Sequence, residues 1–307
     1  MARRPDPRAR NGSAEVRRQR EQAAAREVLD YKSPIYLTLM RNGLLSVVGI
    51  VVLLVLYSVY WFVVATNLKD SIKPWVEERA GTGVQASFEQ IEISGYPMAF
   101  RVILTKPRLA ASFFSASSAG EGWRWEASRV IAEMKPWDFN AFRVDLSGSH
   151  EVVIEAGLVR EHYRGAARNA LVDAILSEDG LPQVATVTAG GLDVRDRRRN
   201  ERLSVKDVRI HGLRRFPEEV TSKTPTFDLD VAFKNLNLPK RYGLPLGPEV
   251  KLFDTRLQVL GKIKEPFDSA TLVSSLTAWR DGGGIIEFEA LEARYGPLFM
   301  QATGTLA

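Results

Sequence analysis

The chain has 307 residues, of which 45% are hydrophobic and 26% charged, the composition of a folded protein. It contains no cysteine, which excludes disulfides, thiolate metal sites, cysteine nucleophiles and lipid-modified cysteines. The whole formal charge of +5 belongs to residues 1–42, where ten Lys and Arg stand against five acids. The neutral remainder argues against nucleic-acid binding.

Residues 1–42 are predicted to be a basic tail. Its first ten residues are rich in Pro and Arg and are expected to be disordered. Residues 14–30 are good helix formers without a clear apolar face. Such a segment can lie against anionic lipid, although a solvated tail that only sets the topology is the simpler interpretation.

Residues 43–65 contain no charge over twenty-three positions and are predicted to be a transmembrane helix. A helix of that length crosses a hydrocarbon core of about 30 Å. Tyr57, Tyr60 and Trp61 lie together near its end, as in an interfacial aromatic belt.

Topology follows from the distribution of Lys and Arg around this span. The positive-inside bias predicts a cytoplasmic tail and an exported remainder, which corresponds to a single-pass membrane protein. A cleaved signal peptide is the alternative, because Val63 and Ala65 fit a small-residue cleavage site. The length of the apolar run favours an uncleaved anchor.

Residues 66–82 are predicted to be a juxtamembrane helix or linker. Leu68, Ile72 and Trp75 continue a helical spacing that stops at Gly81, and Pro74 is expected to bend or restart the helix.

Residues 83–307 are predicted to form one exported, β-rich domain. The fold class is therefore mainly β: an N-terminal transmembrane helix followed by a large antiparallel, curved β-sheet with one or two short helices. The apolar residues change parity between Val205 and Val208 and between Phe233 and Leu236, which predicts β-bulges. Strands are predicted at 84–93, 98–104, 123–134, 142–147, 149–156, 184–195, 203–210, 227–233, 251–263, 285–294 and 298–306.

One segment is harder to assign, whereas one helix is clear from its end signals. The stretch 166–176 fits a helix or a strand, and Asp179-Gly180 favours a hairpin with the strand that follows. A helix is predicted from a cap at Asp268 or Ser269 to the glycines 282–284.

Motifs of catalysis are not found in the sequence. The three histidines, His150, His162 and His211, lie in separate segments without metal-ligand spacing, and no nucleophile elbow or nucleotide-binding glycine loop occurs. We therefore predict no catalytic residue, metal or cofactor. Acids distant in sequence can still meet in space, so a membrane-tethered hydrolase stays open as an alternative.

Two groups of residues are candidates for ligand contact. An incompletely covered sheet would offer an apolar groove able to hold an acyl chain, while a covered sheet would bury the same residues as core. Its predicted lining residues are Trp123, Trp125, Phe227, Leu229, Val231 and Phe233. A contact for an anionic group is the second candidate, with a charged hairpin loop as the simpler interpretation; its residues are Arg195, Arg197, Arg198 and Arg199.

The chain resembles the bacterial family called domain of unknown function 2125, or DUF2125. The resemblance covers residues 67–307 and is carried by the anchor, Gly81 and four short segments: 95–100 (GYPMAF), 279–283 (WRDGG), 296–298 (GPL) and 304–306 (GTL). Relatives often have Phe-Arg directly after Gly-aromatic-Pro, whereas here Met98-Ala99 intervenes. The family implies an envelope location and a β-rich domain, without an established activity. Together with the predicted topology, the resemblance implies a bacterial inner-membrane protein with a periplasmic domain. Relatives typically continue beyond Ala307, so the last sheet edge is expected to be incomplete.

A looser, architectural resemblance is to AsmA-like proteins, which combine an inner-membrane helix with grooved β-sheets associated with lipid movement. It makes a non-enzymatic protein that binds or guides lipid, or another apolar envelope component, the leading hypothesis. An envelope scaffold or assembly factor with a fully packed sheet, and with envelope protein partners, is the alternative.

Overall fold

The computed structural model describes residues 15–23, 34–80, 84–112, 121–156, 159–262 and 272–306. The chain divides into two compact units, Met1–Tyr60 and Trp61–Ala307. The predicted fold class is confirmed, since one large antiparallel sheet follows an apolar N-terminal helix.

Residues 15–23 are helical, and helix α1 spans Pro34–Ala80. Among the described residues one segment, Leu39–Ile72, is long and apolar enough to cross a membrane by length and composition, and it contains the predicted span. The Ser46 and Ser58 hydroxyls donate hydrogen bonds to carbonyls four residues earlier, at 2.9 and 2.7 Å. The helix therefore satisfies these polar groups internally, as a hydrocarbon environment requires.

Helix α1 continues through Pro74 to Ala80. The expected end before Gly81 agrees with this boundary, but the helix does not restart at the proline. The proline removes one backbone hydrogen bond, a loss that a long helix tolerates.

Seventeen strands form the sheet of the described residues. They are β1 (Val84–Ser87), β2 (Gln90–Ser94), β3 (Phe100–Thr105), β4 (Arg108–Ser112), β5 (Gly122–Ala127), β6 (Arg129–Lys135), β7 (Asp138–Asp145), β8 (Gly148–Ala156), β9 (Val159–Arg168), β10 (Leu171–Leu176), β11 (Pro182–Ala189), β12 (Gly191–Asp196), β13 (Arg202–Arg214), β14 (Pro225–Asn237), β15 (Glu249–Leu260), β16 (Ile285–Tyr295) and β17 (Leu298–Leu306). Helix α2 spans Leu272–Asp281, and a 3-10 turn spans Lys240–Tyr242.

The first twelve strands combine in consecutive pairs, from β1 with β2 to β11 with β12, into six long strands. Each long strand is interrupted near its middle. Thus β3 and β4 pair with β6 and β5 respectively, and β7 and β8 pair with β10 and β9. Counted this way, the sheet is an antiparallel meander of eleven long strands in chain order. Such a meander needs only local connections between neighbouring strands.

The interruptions lie next to one another and form a crease across the sheet. Backbone hydrogen bonds continue through it: the Lys106 amide donates to the Ser128 carbonyl at 3.1 Å, and the Leu146 amide donates to the Ala170 carbonyl at 2.8 Å. Lys106, Asn169, Asp207 and Asn235 have left-handed φ angles of 45 to 50°. Lys106 and Asn169 lie at two of the interruptions, and Asp207 and Asn235 lie inside β13 and β14. These irregular positions behave as β-bulges, which bend a strand and increase its twist.

The bulges keep apolar residues on one face of the sheet. Ala127 and Val130 flank Ser128, stand three residues apart, and are both buried. A regular strand would place them on opposite faces. The predicted parity changes are confirmed: the pairing of β13 with β14 shifts register between Ser204 and Lys206 and again before Arg209.

The ambiguous segment and the predicted helix both agree with the structure. Residues 171–176 form strand β10, which makes a hairpin with β11. Helix α2 occupies the predicted position, and its proposed caps, Asp268 and Ser269, lie outside the described residues. The strand expected from Met98 begins at Phe100, because residues 96–98 belong to the preceding turn.

The turn at Gly95 requires glycine. Gly95 has a φ of 100°, and its carbonyl accepts a hydrogen bond from the Ala99 amide at 3.0 Å. A Cβ atom at this position would lie 2.7 Å from the Ala99 carbonyl oxygen. Both the φ angle and this close approach exclude larger residues without a shift of the backbone.

We predict that Gly95→Val destabilises the protein by roughly 1–3 kcal/mol through backbone strain. The thermal midpoint of the full chain in detergent measures this. Gly304→Val is the matched control, since a Cβ atom at Gly304 would meet nothing within 4 Å among the described residues beyond its chain neighbours. Equal midpoints for the wild type and Gly95→Val would contradict the turn geometry.

Candidate functional site

One face of the sheet is apolar across its whole width, and we call it the apolar face. A single row of directly paired residues crosses all eleven long strands, and every member except Thr255 is apolar. At about 4.8 Å per strand, the row extends roughly 48 Å. Its members are Ile93, Val102, Ala132, Val144, Val172, Val187, Ile210, Val231, Thr255, Leu291 and Ala302.

Most of this face is only half-buried. Val102 and Thr255 are buried, whereas Val144, Ile210 and Val231 retain partial exposure. An ordinary sheet core would bury such branched side chains almost completely. The described residues therefore do not close over the apolar face.

The six predicted groove residues all lie on this face. Trp123 and Trp125 share one side of β5, as expected, and pair with Ile154 and Val152. The Trp125 ring stacks on His150 with centroids 5.9 Å apart. These tryptophans lie beyond the crease from the long row. All six side chains are half-buried.

The other four groove residues alternate along β14. Leu229 pairs with Gly212 and Leu257, and Val231 lies in the long apolar row. Phe233 stacks on Phe253 with centroids 5.0 Å apart. Phe227, the fourth, pairs with Val259 on the same side.

Helix α1, from Trp61 onward, covers one corner of the apolar face. Trp61 is 4% exposed, and its ring stacks on that of Phe100 at 5.2 Å. Its indole Nε1 donates a hydrogen bond to the Ala99 carbonyl at 3.2 Å. Ala65 and Leu68 complete the cluster around Phe100, which is fully buried. Sequence reasoning assigns Trp61 to an interfacial belt and misses this contact, which joins residues 39 positions apart.

The opposite face carries cross-strand ion pairs. Arg101 pairs with Glu133 at 2.7 Å, and Arg143 pairs with Asp173 at 2.6 Å. Register places these residues in one row, Arg101, Glu133, Arg143 and Asp173, with alternating charge. The two faces of the sheet therefore differ sharply in polarity.

The arginine cluster forms part of a hairpin. Arg197, Arg198 and Arg199 lie in the turn between β12 and β13, and Arg195 lies at the end of β12. Arg198 donates to the Arg160 carbonyl at 2.6 Å. Arg199 pairs with Glu161 at 2.7 Å.

Asp196 is the buried centre of this hairpin, at 2% exposure. It accepts hydrogen bonds from the Arg198 and Arg199 amides at 2.8 and 3.1 Å, and from the Arg241 guanidinium at 3.2 Å. Burial is the largest influence and raises its pKa, but the hydrogen bonds together outweigh burial and lower the pKa of Asp196.

The three histidines contact different partners. His150 Nε2 lies 2.6 Å from the Leu146 carbonyl oxygen, and His162 Nε2 lies 2.6 Å from a Glu151 carboxylate oxygen. His211 contacts the Thr186 hydroxyl at 2.9 Å. Within the described ranges no group of three or more His, Asp or Glu residues has metal-binding geometry.

We predict that Asp196→Asn lowers the thermal midpoint at pH 7. A lowered folded-state pKa means that the ionised carboxylate stabilises the fold above its unfolded pKa near 3.8, and that this contribution disappears as pH falls through the folded pKa. The difference from wild type should therefore shrink below about pH 4. Asp281→Asn, at an exposed ion pair, is the control. A difference that is constant from pH 7 to pH 3 would contradict this assignment.

Comparison with known families gives one match, over residues 61–307, to a family described as uncharacterized protein conserved in bacteria (DUF2125). The match begins at Trp61, which is also the first residue of the second compact unit. No curated protein and no solved structure matches the chain. Because the match covers most of the chain, the protein belongs to the DUF2125 family.

Proposed function

We propose that the protein is a non-enzymatic, single-pass inner-membrane protein whose periplasmic β-domain binds or guides lipid along the apolar face. The observation that carries the proposal is the long apolar row with half-buried side chains. A surface of this kind binds long apolar molecules, because its exposed area is stabilised by removal from water.

The geometry favours an acyl chain over a compact ligand. The row extends roughly 48 Å, longer than any acyl chain of a phospholipid, and offers few polar groups to orient a small molecule. Its residues are small or branched, chiefly Val, Ile and Ala, and form a smooth surface. One corner adjoins helix α1, the segment able to cross a membrane.

Photolabelling of the full chain tests lipid binding. The chain is placed in nanodiscs containing a phospholipid with a diazirine on one acyl chain, and the labelled peptides are identified by mass spectrometry. We expect label on the span, which serves as the internal positive control, and on apolar-face residues such as Val231. Label on the span alone would overturn the lipid proposal.

A matched pair of variants locates the binding surface. Val231→Asp should reduce labelling of β14 by roughly 5- to 150-fold, since an unpaired polar group in an apolar site costs roughly 1–3 kcal/mol. Ala232→Asp places the same charge on the opposite face, between Arg209 and Asp254, and should label as wild type. Unfolding of Val231→Asp alone, seen by circular dichroism, would indicate a dry packed core and favour the scaffold alternative.

The topology is tested by reporter fusions at Ala307. A periplasmic reporter such as alkaline phosphatase should be active there, and a cytoplasmic reporter inactive, because the Lys and Arg excess precedes the span. An N-terminal tag retained in the mature protein distinguishes an anchor from a cleaved signal peptide. Activity of the cytoplasmic reporter would contradict the proposed orientation.

An envelope scaffold or assembly factor is favoured by one separate observation. All nine residues of β17 are exposed, including Leu298 and Phe299, and among the described strands β17 pairs only with β16. An exposed strand of this kind can pair with a strand of another protein. A wild-type chain that binds no lipid but is captured through β17 would support this alternative. The remaining alternative, a hydrolase, receives less support. Many carboxylates of the polar face are held in ion pairs with arginine, as in Arg101–Glu133 and Arg143–Asp173.

A further inference from the structure

Because the strands form a meander, every second connection lies at the same end of the strands. The β2–β3 turn (95–99), the β6–β7 turn (136–137) and the β13–β14 loop (215–224) lie at one end, which we call the anchor edge. The β12–β13 turn and the β16–β17 turn (296–297) lie at the opposite edge, as does the β14–β15 connection (238–248).

Two turns of the anchor edge expose large apolar side chains. Met98 is 68% exposed, and Tyr96 in the same turn is 46% exposed. Trp137 is 63% exposed in a two-residue hairpin turn, and Phe139, at the start of β7, is 48% exposed. Tryptophan at the tip of a turn is costly in water but suits the boundary between lipid and water.

The β2–β3 turn contacts helix α1 in the part that begins at Trp61. Phe62, which is 59% exposed, stacks on Tyr96 with ring centroids 5.8 Å apart. Trp61 contacts the same ring edge-on at 5.5 Å. Both helix residues precede the first charge after the span, at Lys69. The apolar surface of the helix therefore extends onto the β2–β3 turn.

The level of the turn in a bilayer follows from the helix. About 20 residues cross the hydrocarbon core, so a span beginning near Gly43 emerges near Phe62. Trp61 and Phe62 then lie at the interface, and the contacts of Tyr96 and Ala99 fix the turn at the same level. Trp137 and Phe139 belong to that edge, and Phe139 stacks on Phe100 at 6.0 Å.

We infer that the anchor edge is a second membrane contact, in which Tyr96, Met98, Trp137 and Phe139 insert into the interface of the bilayer that α1 crosses. This inference rests on the membrane anchor of the proposed function but does not require lipid in the apolar face. Its consequence is orientation: the apolar face opens directly above the lipid surface. A helix alone would leave the domain free to tilt.

Spin labelling of the full chain in vesicles of phosphatidylethanolamine and phosphatidylglycerol tests this surface. The chain contains no cysteine, so Met98→Cys and Trp137→Cys each give one labelled position in an otherwise unchanged protein. Tyr242→Cys and Leu298→Cys are matched controls, because both residues are exposed apolar positions at the opposite edge. Collision rates with oxygen and with a water-soluble nickel chelate report depth.

We expect a higher oxygen-to-nickel ratio at positions 98 and 137 than at positions 242 and 298. Equal ratios at all four positions would overturn the inference. The native Trp137 gives a check that does not depend on cysteine substitution: lipids brominated near the headgroup should quench wild-type fluorescence more than that of Trp137→Phe. Interfacial labels together with an unlabelled apolar face would refute lipid guiding alone, whereas aqueous labels with a photolabelled face would refute the membrane contact alone.

Discussion

The structure depends on a constraint of strand periodicity. A β-strand presents alternate residues to opposite faces of the sheet. A bulge that inserts one extra residue therefore exchanges the odd-numbered and even-numbered residues between the two faces, whereas a bend without an inserted residue does not. In this sheet the apolar positions of the sequence change from odd to even, or from even to odd, where the backbone makes this exchange. Ala127 and Val130 are an example. The apolar face survives the crease only because these two changes coincide.

Part of this organisation could be predicted from the sequence because it is local. Alternation along 227–233 and the change of parity after Val205 are visible within a few residues, and they indicated strands and bulges. The hairpin after β10 was favoured by Asp179-Gly180. The six residues predicted to line a groove are selected by the same local signal, since each belongs to an alternating run.

The alignment of strands was not accessible by the same reasoning. That Ile93 and Val231 belong to one row depends on the register of seven successive pairings, and no single strand records it. The contact of Trp61 with Phe100 likewise joins a helix and a strand through packing alone. Aromatic residues near the end of an apolar helix are typical of an interfacial belt, and nothing in their spacing distinguishes a lipid-facing ring from a packed one.

The charged row on the other face has a consequence for how the sheet assembles. Val, Ile and Ala in the apolar row are nearly interchangeable, so a slip of two residues between neighbouring strands would still match apolar with apolar. On the opposite face the same slip would place Arg101 against Lys135 or Ile131, and Arg143 against Leu171 or Ile175. Each shift separates a carboxylate from its guanidinium. The polar face thus selects one alignment among several that hydrophobic matching leaves equivalent, and ion pairs on one side of the sheet determine which residues lie side by side on the other.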